Sequence, residues 1–272
     1  MVRTHFRNLA LSVITVVTAS AASAANAETL IAGIEAAFPP WAYAERGEYK
    51  GIAVDAMRAI AENQGLEVEF RDMPWPSLIP ALSSGRIDLL VTGLNVTEER
   101  NEVLDFSIPW WENDDEVLVN SDSGLTFDEA LCCGVTVGVQ GGSTQQSWAE
   151  ANLDDVTIRA YPDYVAALDD MAVGRINSLI VSTDSAESFI ANGRDVVIAG
   201  TIEVGQPQAL AVQRGDPNGI LAQLNQGIIE LYESGQWEEI VHSYSPHATI
   251  RDVPATMPDY VRTYQEPIAG LE

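Results

Sequence analysis

Twice along this chain of 272 residues, short apolar runs alternate with helical stretches, and that rhythm constrains the fold more than any other feature. Leu30 to Ile34 reads as a short buried strand, and Val54, Met57, Ile60 and Ala61 recur at helical spacing with Gly65 as the stop. Leu66, Val68 and Phe70 alternate with Glu67 and Glu69, as in a strand with one polar face. A helix is expected over about 76–84, with Pro76 in its first turn and Gly85 ending it. Leu89-Leu90-Val91 is another buried strand, and Thr97 is a good N-cap for the helix after it.

The rhythm restarts after the hinge-like stretch Glu112 to Glu116. Strands are expected at Val135 to Val139, Val156 to Tyr161, Leu179 to Val181, Val196 to Ala199 and Ala209 to Val212. Helices are expected at Thr144 to Ala151, over 163–173 before Gly174, over 184–191, and over 219–233 and 237–244 with Gly235 between them. Strand–helix alternation implies mostly parallel sheets covered by helices. Two runs of this kind suggest two α/β lobes, with ligands bound in the cleft outside the strand ends. The division expected is 28–112 plus 208–249 for lobe 1 and 113–207 for lobe 2, with hinge strands at the ends of lobe 2 and an extended tail over 250–272.

Residues 1–27 have the layout of a secretory signal peptide: Arg3 and Arg7, an apolar run from Leu9 to Val17, and Ala25-Asn26-Ala27 before the cut. The run is shorter than the ~20 residues a bilayer core requires. Cleavage would leave an exported, soluble protein. Charge then excludes a whole class of partner. The chain carries 14 Lys+Arg against 40 Asp+Glu, a formal net charge of −26, and Lys50 is its one lysine. A nucleic-acid partner needs clustered cations along a face, which this composition does not supply.

Catalytic and metal motifs are equally scarce. Of three histidines, His5 leaves with the leader, and His242 and His247 lie near the end, so a histidine-based triad is not expected. The sequence contains neither HExxH nor GxSxG, and no cofactor or metal is expected. The acidic runs at 112–116, 154–155 and 169–170 lack the spacing of a calcium loop and read as solvated surface. Cys132-Cys133 could oxidise to a vicinal disulfide, but the reading preferred is two buried small residues.

The most informative segment runs from Trp75 to Trp111. Its centre is a buried strand, a polar turn, the Thr97 cap and then Arg100 in the first helical turn. A guanidinium there can grip a carboxylate with two parallel hydrogen bonds, and spacing alone leaves a surface arginine equally open. The stretch from Trp75 through LIPALSSGRID to TEER and LDFSIPWW resembles the signature of the family 3 solute-binding proteins, the polar amino-acid receptors of ABC importers. Gly51-Ile-Ala-Val-Asp55, Val135 to Gln145, Gly174-Arg-Ile and Gly235-Gln-Trp resemble further motifs of that family, in order, over about 30–245.

The resemblance implies a two-lobe type II periplasmic binding protein fold, a monomer that captures a small zwitterionic solute and hands it to a membrane permease. It implies that Arg100 holds the ligand's α-carboxylate, and that Thr92, Gly93 and Asn95 on the turn add hydrogen bonds. Ser143 and Thr144 would bring donors from the second lobe, and Glu35 would stand where relatives with basic or amide ligands place an acid. Phe38 and Trp75 would wall the side-chain pocket, and Trp41 is expected in the core. One departure stands out: where the family's second lobe has an aspartate for the ligand ammonium, this chain has Ser182, with Asp184 two residues later. Either Asp184 substitutes, or the ammonium contact is missing, as it would be for an ectoine-like solute. A dehydratase resembling cyclohexadienyl dehydratase, with Glu35 or Asp184 as general acid, is the rival on the same scaffold.

Overall fold

The structure, a computed structural model, describes residues 29–246, 248 and 250. The expected signal peptide and almost all of the expected tail lie outside the described residues. Strand β1 (Leu30–Ile34) is followed by three short strands, β2 (Ala37–Phe38), β3 (Ala42–Glu45) and β4 (Glu48–Lys50). Next come α1 (Ile52–Gln64), β5 (Val68–Asp72), α2 (Trp75–Ser83), β6 (Leu89–Asn95), α3 (Glu98–Asn101) and β7 (Leu104–Phe106). The second run holds β8 (Trp111–Asn120), α4 (Phe127–Ala130), β9 (Thr136–Gln140), α5 (Thr144–Asn152) and β10 (Thr157–Tyr161). It continues with α6 (Tyr164–Ala172), β11 (Ser178–Ser182) and α7 (Thr183–Ala191), and then β12 (Val196–Gln213), α8 (Leu221–Ser234) and α9 (Gln236–Tyr244).

Eight strands lie side by side in the order β10-β9-β11-β8-β12-β6-β1-β5, and β7 pairs with β12. Both ends of this array are parallel, β5-β1-β6 and β10-β9-β11, as helical crossovers require. The middle is antiparallel, because β8 and β12 run through both halves. The sequence suggested two separate short strands at 196–199 and 209–212; instead β12 is one strand of 18 residues. Register shifts between Ile198 and Gly200, between Ile202 and Gln206, and between Ala209 and Ala211 break its pattern and hide its length from periodicity.

Alternation along the strands shows that helices cover both faces. In β6, Leu89 and Val91 join the core with α1 and α8, while Leu90 and Leu94 join the core with α2. In β11, Leu179 and Val181 face one core and Ile180 the other. The punctuation works locally: Gly65 takes the left-handed conformation (φ 66°) that ends α1, and its N–H bonds back to the last turn. Where the two halves meet, the rings of Trp41, Trp110, Trp111 and Trp237 form a chain with centroids 5.5–6.3 Å apart.

Two expectations fail. Cys132 and Cys133 are joined in a disulfide, and Cys133 is exposed rather than buried. The pair sits in the tight turn before β9, with Cys133 and Gly134 both at positive φ, a place with no core to enter. The 112–116 run is also not solvated surface. It forms the start of β8, where Asp115 and Glu116 are buried and accept hydrogen bonds from Gln145, Thr183 and Thr201.

Candidate functional site

The β6–α3 turn builds the first element of the site. Strand β6 ends at Asn95, and Thr97 caps α3 by accepting the Arg100 N–H at 3.2 Å. That cap turns the Arg100 side chain inward. Its guanidinium is buried, donates to the Asn95 carbonyl at 2.8 Å, and reaches across the cleft to the Gly142 carbonyl at 3.1 Å. It lies 5.7 Å from the centre of the Trp75 ring. Burial pushes its pKa down to about 10, so it stays cationic at neutral pH. Both of its acceptors are neutral carbonyls, and among the described residues Arg100 enters no ion pair. Its charge therefore has no anion in direct contact.

Behind Arg100, the two halves close on a pocket with only ≈ 10 Å³ of free space, lined by Phe38, Trp75, Gly93, Asn95, Ser143, Thr144 and Ser182. Gln140, Gln145, Tyr164 and Gln208 complete the wall. Phe38 and Tyr164 approach from opposite halves with ring centroids 5.8 Å apart. Arg100 lines the outer part of the cleft, which shares Ser143 and Thr144 with the inner pocket. Ser143 is the N-cap of α5: its hydroxyl accepts from the Gln146 N–H at 3.1 Å and donates to the Gln140 carbonyl at 2.7 Å. What that cap presents to the cleft is the first turn of α5, the positive end of its dipole.

Thr92 is fully buried on β6, and its hydroxyl has no hydrogen-bond partner. Glu35, one residue beyond β1, is buried as well. Its Oε1 accepts from Gln140 Nε2 at 2.6 Å, and its Oε2 is buried without a partner. Desolvation raises its pKa to about 8, helped by the charges of Asp163 and Asp72 and opposed by the Gln140 hydrogen bond and the Trp75 backbone N–H. Desolvation likewise lifts Asp115, bonded to Gln145 Nε2 at 2.6 Å, to about 7.

Asp184 is set back from the pocket. Its Oδ2 accepts from Asn113 Nδ2 at 2.6 Å, Trp111 Nε1 at 2.9 Å and Trp41 Nε1 at 3.3 Å. Burial raises its pKa to about 6 against those three donors. Trp41 is in the core, as expected, yet its indole N–H reaches across to this carboxylate. Ser182 lines the pocket, and its hydroxyl donates to Ser185 Oγ at 3.0 Å. Gln140, Gln145, Tyr164, Asn113 and Gln208 were not among the site residues expected from the sequence. Gln140 and Gln145 flank the Gly-Gly-Ser-Thr loop and were within reach of it; Asn113 and Gln208 meet only through the β8–β12 pairing.

Comparison with known proteins places this architecture. Residues 30–247 match bacterial extracellular solute-binding proteins, family 3, and the chain belongs to that family. The L-cystine-binding protein TcyJ of Escherichia coli K12 is 27% identical over 212 residues, 76% of this chain and 79% of TcyJ. A solved structure of an ancestral arginine-binding protein bound to arginine superposes with a TM-score of 0.73 and 30% identity, over 79% of this chain and 97% of that one. An ancestral amino-acid-binding protein described as a precursor of cyclohexadienyl dehydratase gives 0.73 and 26%, over 79% and 95%. The fold is thus that of a two-lobe binding protein, and the chain captures small solutes outside the cell for ABC import rather than catalysing a reaction. No helix among the described residues is long and apolar enough to cross a membrane.

Proposed function

We propose that the cleft binds an L-amino acid with a cationic or amide side chain. Arg100 takes the α-carboxylate, aided by the Thr92-Gly93-Asn95 strand end and by the start of α5 at Ser143 and Thr144. Phe38, Trp75 and Tyr164 wall the side chain, and Glu35 meets its polar end. The observation that supports this reading is the buried guanidinium of Arg100, which is met by the Asn95 and Gly142 carbonyls and by no anion. The α-carboxylate of an amino acid supplies the missing anion. Charge-assisted bonds of this type contribute about 1.5–3 kcal/mol each.

In this reading residues 28–112 with 208–249 form one lobe and 113–207 the other, and Arg100–Gly142 is the kind of contact that exists only when the lobes are closed. A ligand touching both lobes shifts the population toward that closed form, which a permease can recognise. The protein acts as a monomer after removal of residues 1–27. The test is a thermal-shift screen of the purified protein over the amino acids and ectoine, with mass spectrometry of whatever co-purifies. L-Arginine, L-glutamine or L-histidine is expected to raise the melting temperature, since occupancy at a hundred times Kd adds about 2.7 kcal/mol. A flat response to every amino acid refutes the reading.

A further inference from the structure

The second half lacks a carboxylate at Ser182, yet the pocket holds an acceptor of another kind. Gln208 lies on β12, opposite Asn95, the residue whose carbonyl holds Arg100. It is buried, it lines the inner pocket, and its amide oxygen has no hydrogen-bond partner. That oxygen would be 2.7 Å from a Cβ at Gly93, so a side chain there would displace it. Gly93 stands two residues before Asn95, roughly 7 Å along the strand. Gln208 and the carbonyl that holds Arg100 thus lie at neighbouring positions of one sheet, on the strand pair β6–β12.

The polarity of the amide follows from its neighbours. Asp184 Oδ2 accepts from Trp111, Trp41 and Asn113, so at that oxygen it acts only as an acceptor. Asn113 must therefore turn its NH₂ toward Asp184 and its oxygen toward Gln208. Gln208 answers with its own NH₂, at 3.3 Å from Asn113 Oδ1. The remaining atom, the oxygen, is left buried beside Gly93 without a donor. Ser182 offers no charge, and Asp184 is set back from the pocket with its Oδ2 held by three donors.

We propose that Gln208 accepts the guest's α-ammonium, with Asn113 and Asp184 as positioning residues that hold its oxygen outward. This rests on the reading of the cleft as an amino-acid site. A neutral acceptor on β12 thus replaces a charged one at the end of β11, and specificity for a free α-amine is retained without the second-half aspartate.

The experiment is titration calorimetry at pH 7.5 on wild type, Gln208→Leu and Gln208→Glu. The probes are L-arginine, L-glutamine and L-histidine, each beside its α-deamino analogue. Wild type is expected to prefer each bound amino acid to its analogue by about tenfold or more, the size of one charge-assisted bond. Gln208→Leu should lose that preference through weaker amino-acid binding while its affinity for the analogue stays within about twofold. Gln208→Glu should keep or enlarge it. An unchanged preference in Gln208→Leu overturns the assignment, and so does a wild type that binds both partners of a pair equally. Should Gln208→Leu fail to fold by its melting curve, the Glu variant decides, and a preference lower than wild type's overturns the proposal. If wild type binds none of the three amino acids, the reading of the cleft itself fails, and this proposal with it.

Discussion

Glu35 offers the sharpest test, because a cationic guest must change its protonation. In the empty cleft, burial holds its pKa at about 8, against 4.5 for an ordinary glutamate. At pH 7 such a group is about nine-tenths protonated. A guanidinium or imidazolium placed against it favours the anion and returns its pKa toward the usual carboxylate range. Binding L-arginine at pH 7 should then release about 0.9 proton per ligand, and affinity should rise by up to tenfold per pH unit between about 5 and 8, flattening above 8. The whole shift corresponds to about 5 kcal/mol of desolvation penalty, an upper bound on what the guest's charge has to offset. Calorimetry at pH 7 in two buffers of different ionisation enthalpy measures the proton count directly. Glu35→Gln should bind L-arginine more weakly, with no buffer dependence and a flat pH profile, while L-glutamine should release no proton from either protein. Equal heats in both buffers for wild type with L-arginine refute the assignment of Glu35 to the side-chain pole. Stability of the free protein follows with the opposite sense: the folded state keeps a proton that the unfolded chain gives up above about pH 4.5. Stability therefore falls as pH rises from there to about 8.

Replacing Arg100 by Met should weaken every carboxylate-bearing ligand by a hundredfold or more in calorimetry, since at least two charge-assisted bonds are lost; a loss below tenfold would mean that the guanidinium does not touch the guest. Gly227 in α8 packs on α1, where an added Cβ would lie 2.6 Å from Ile60 Cγ2. Gly227→Ala should destabilise the fold by about 1–3 kcal/mol in urea unfolding while leaving ligand affinity unchanged, and combined with Ile60→Ala, which removes the clashing Cγ atoms, it should cost less than the sum of the two single losses.

What the sequence made legible was local. The Thr97 cap, the Gly65 stop, the helix start at Thr144 and, to within a residue, that of the last helix all depend on residues within a few positions of one another, which propensity and capping chemistry decide. What stayed hidden was set by register between distant strands. Asn113 and Gln208 come together because β8 and β12 pair antiparallel, and nothing near either residue announces it. The acidic run at 112–116 misled for a related reason: in a chain with 40 acids, the two that strand pairing buries look the same as those left in water.

That abundance of acid also explains how the cleft can respond to a guest. Glu35, Asp115 and Asp184 are all buried, and each is met by neutral donors: Gln140, Gln145, and Asn113 with two indoles. Among the described residues none of the three forms an ion pair, and the one buried cation, Arg100, is met by carbonyls. Had Arg100 paired with one of these carboxylates, a ligand would have to break a buried salt bridge before binding, at a cost of several kcal/mol. Keeping the charges apart and solvating each with amides and indoles leaves their electrostatic demand unmet. In the proposed reading, the cation at Arg100 and the largely protonated acid at Glu35 are thereby left for a guest that carries the complementary groups.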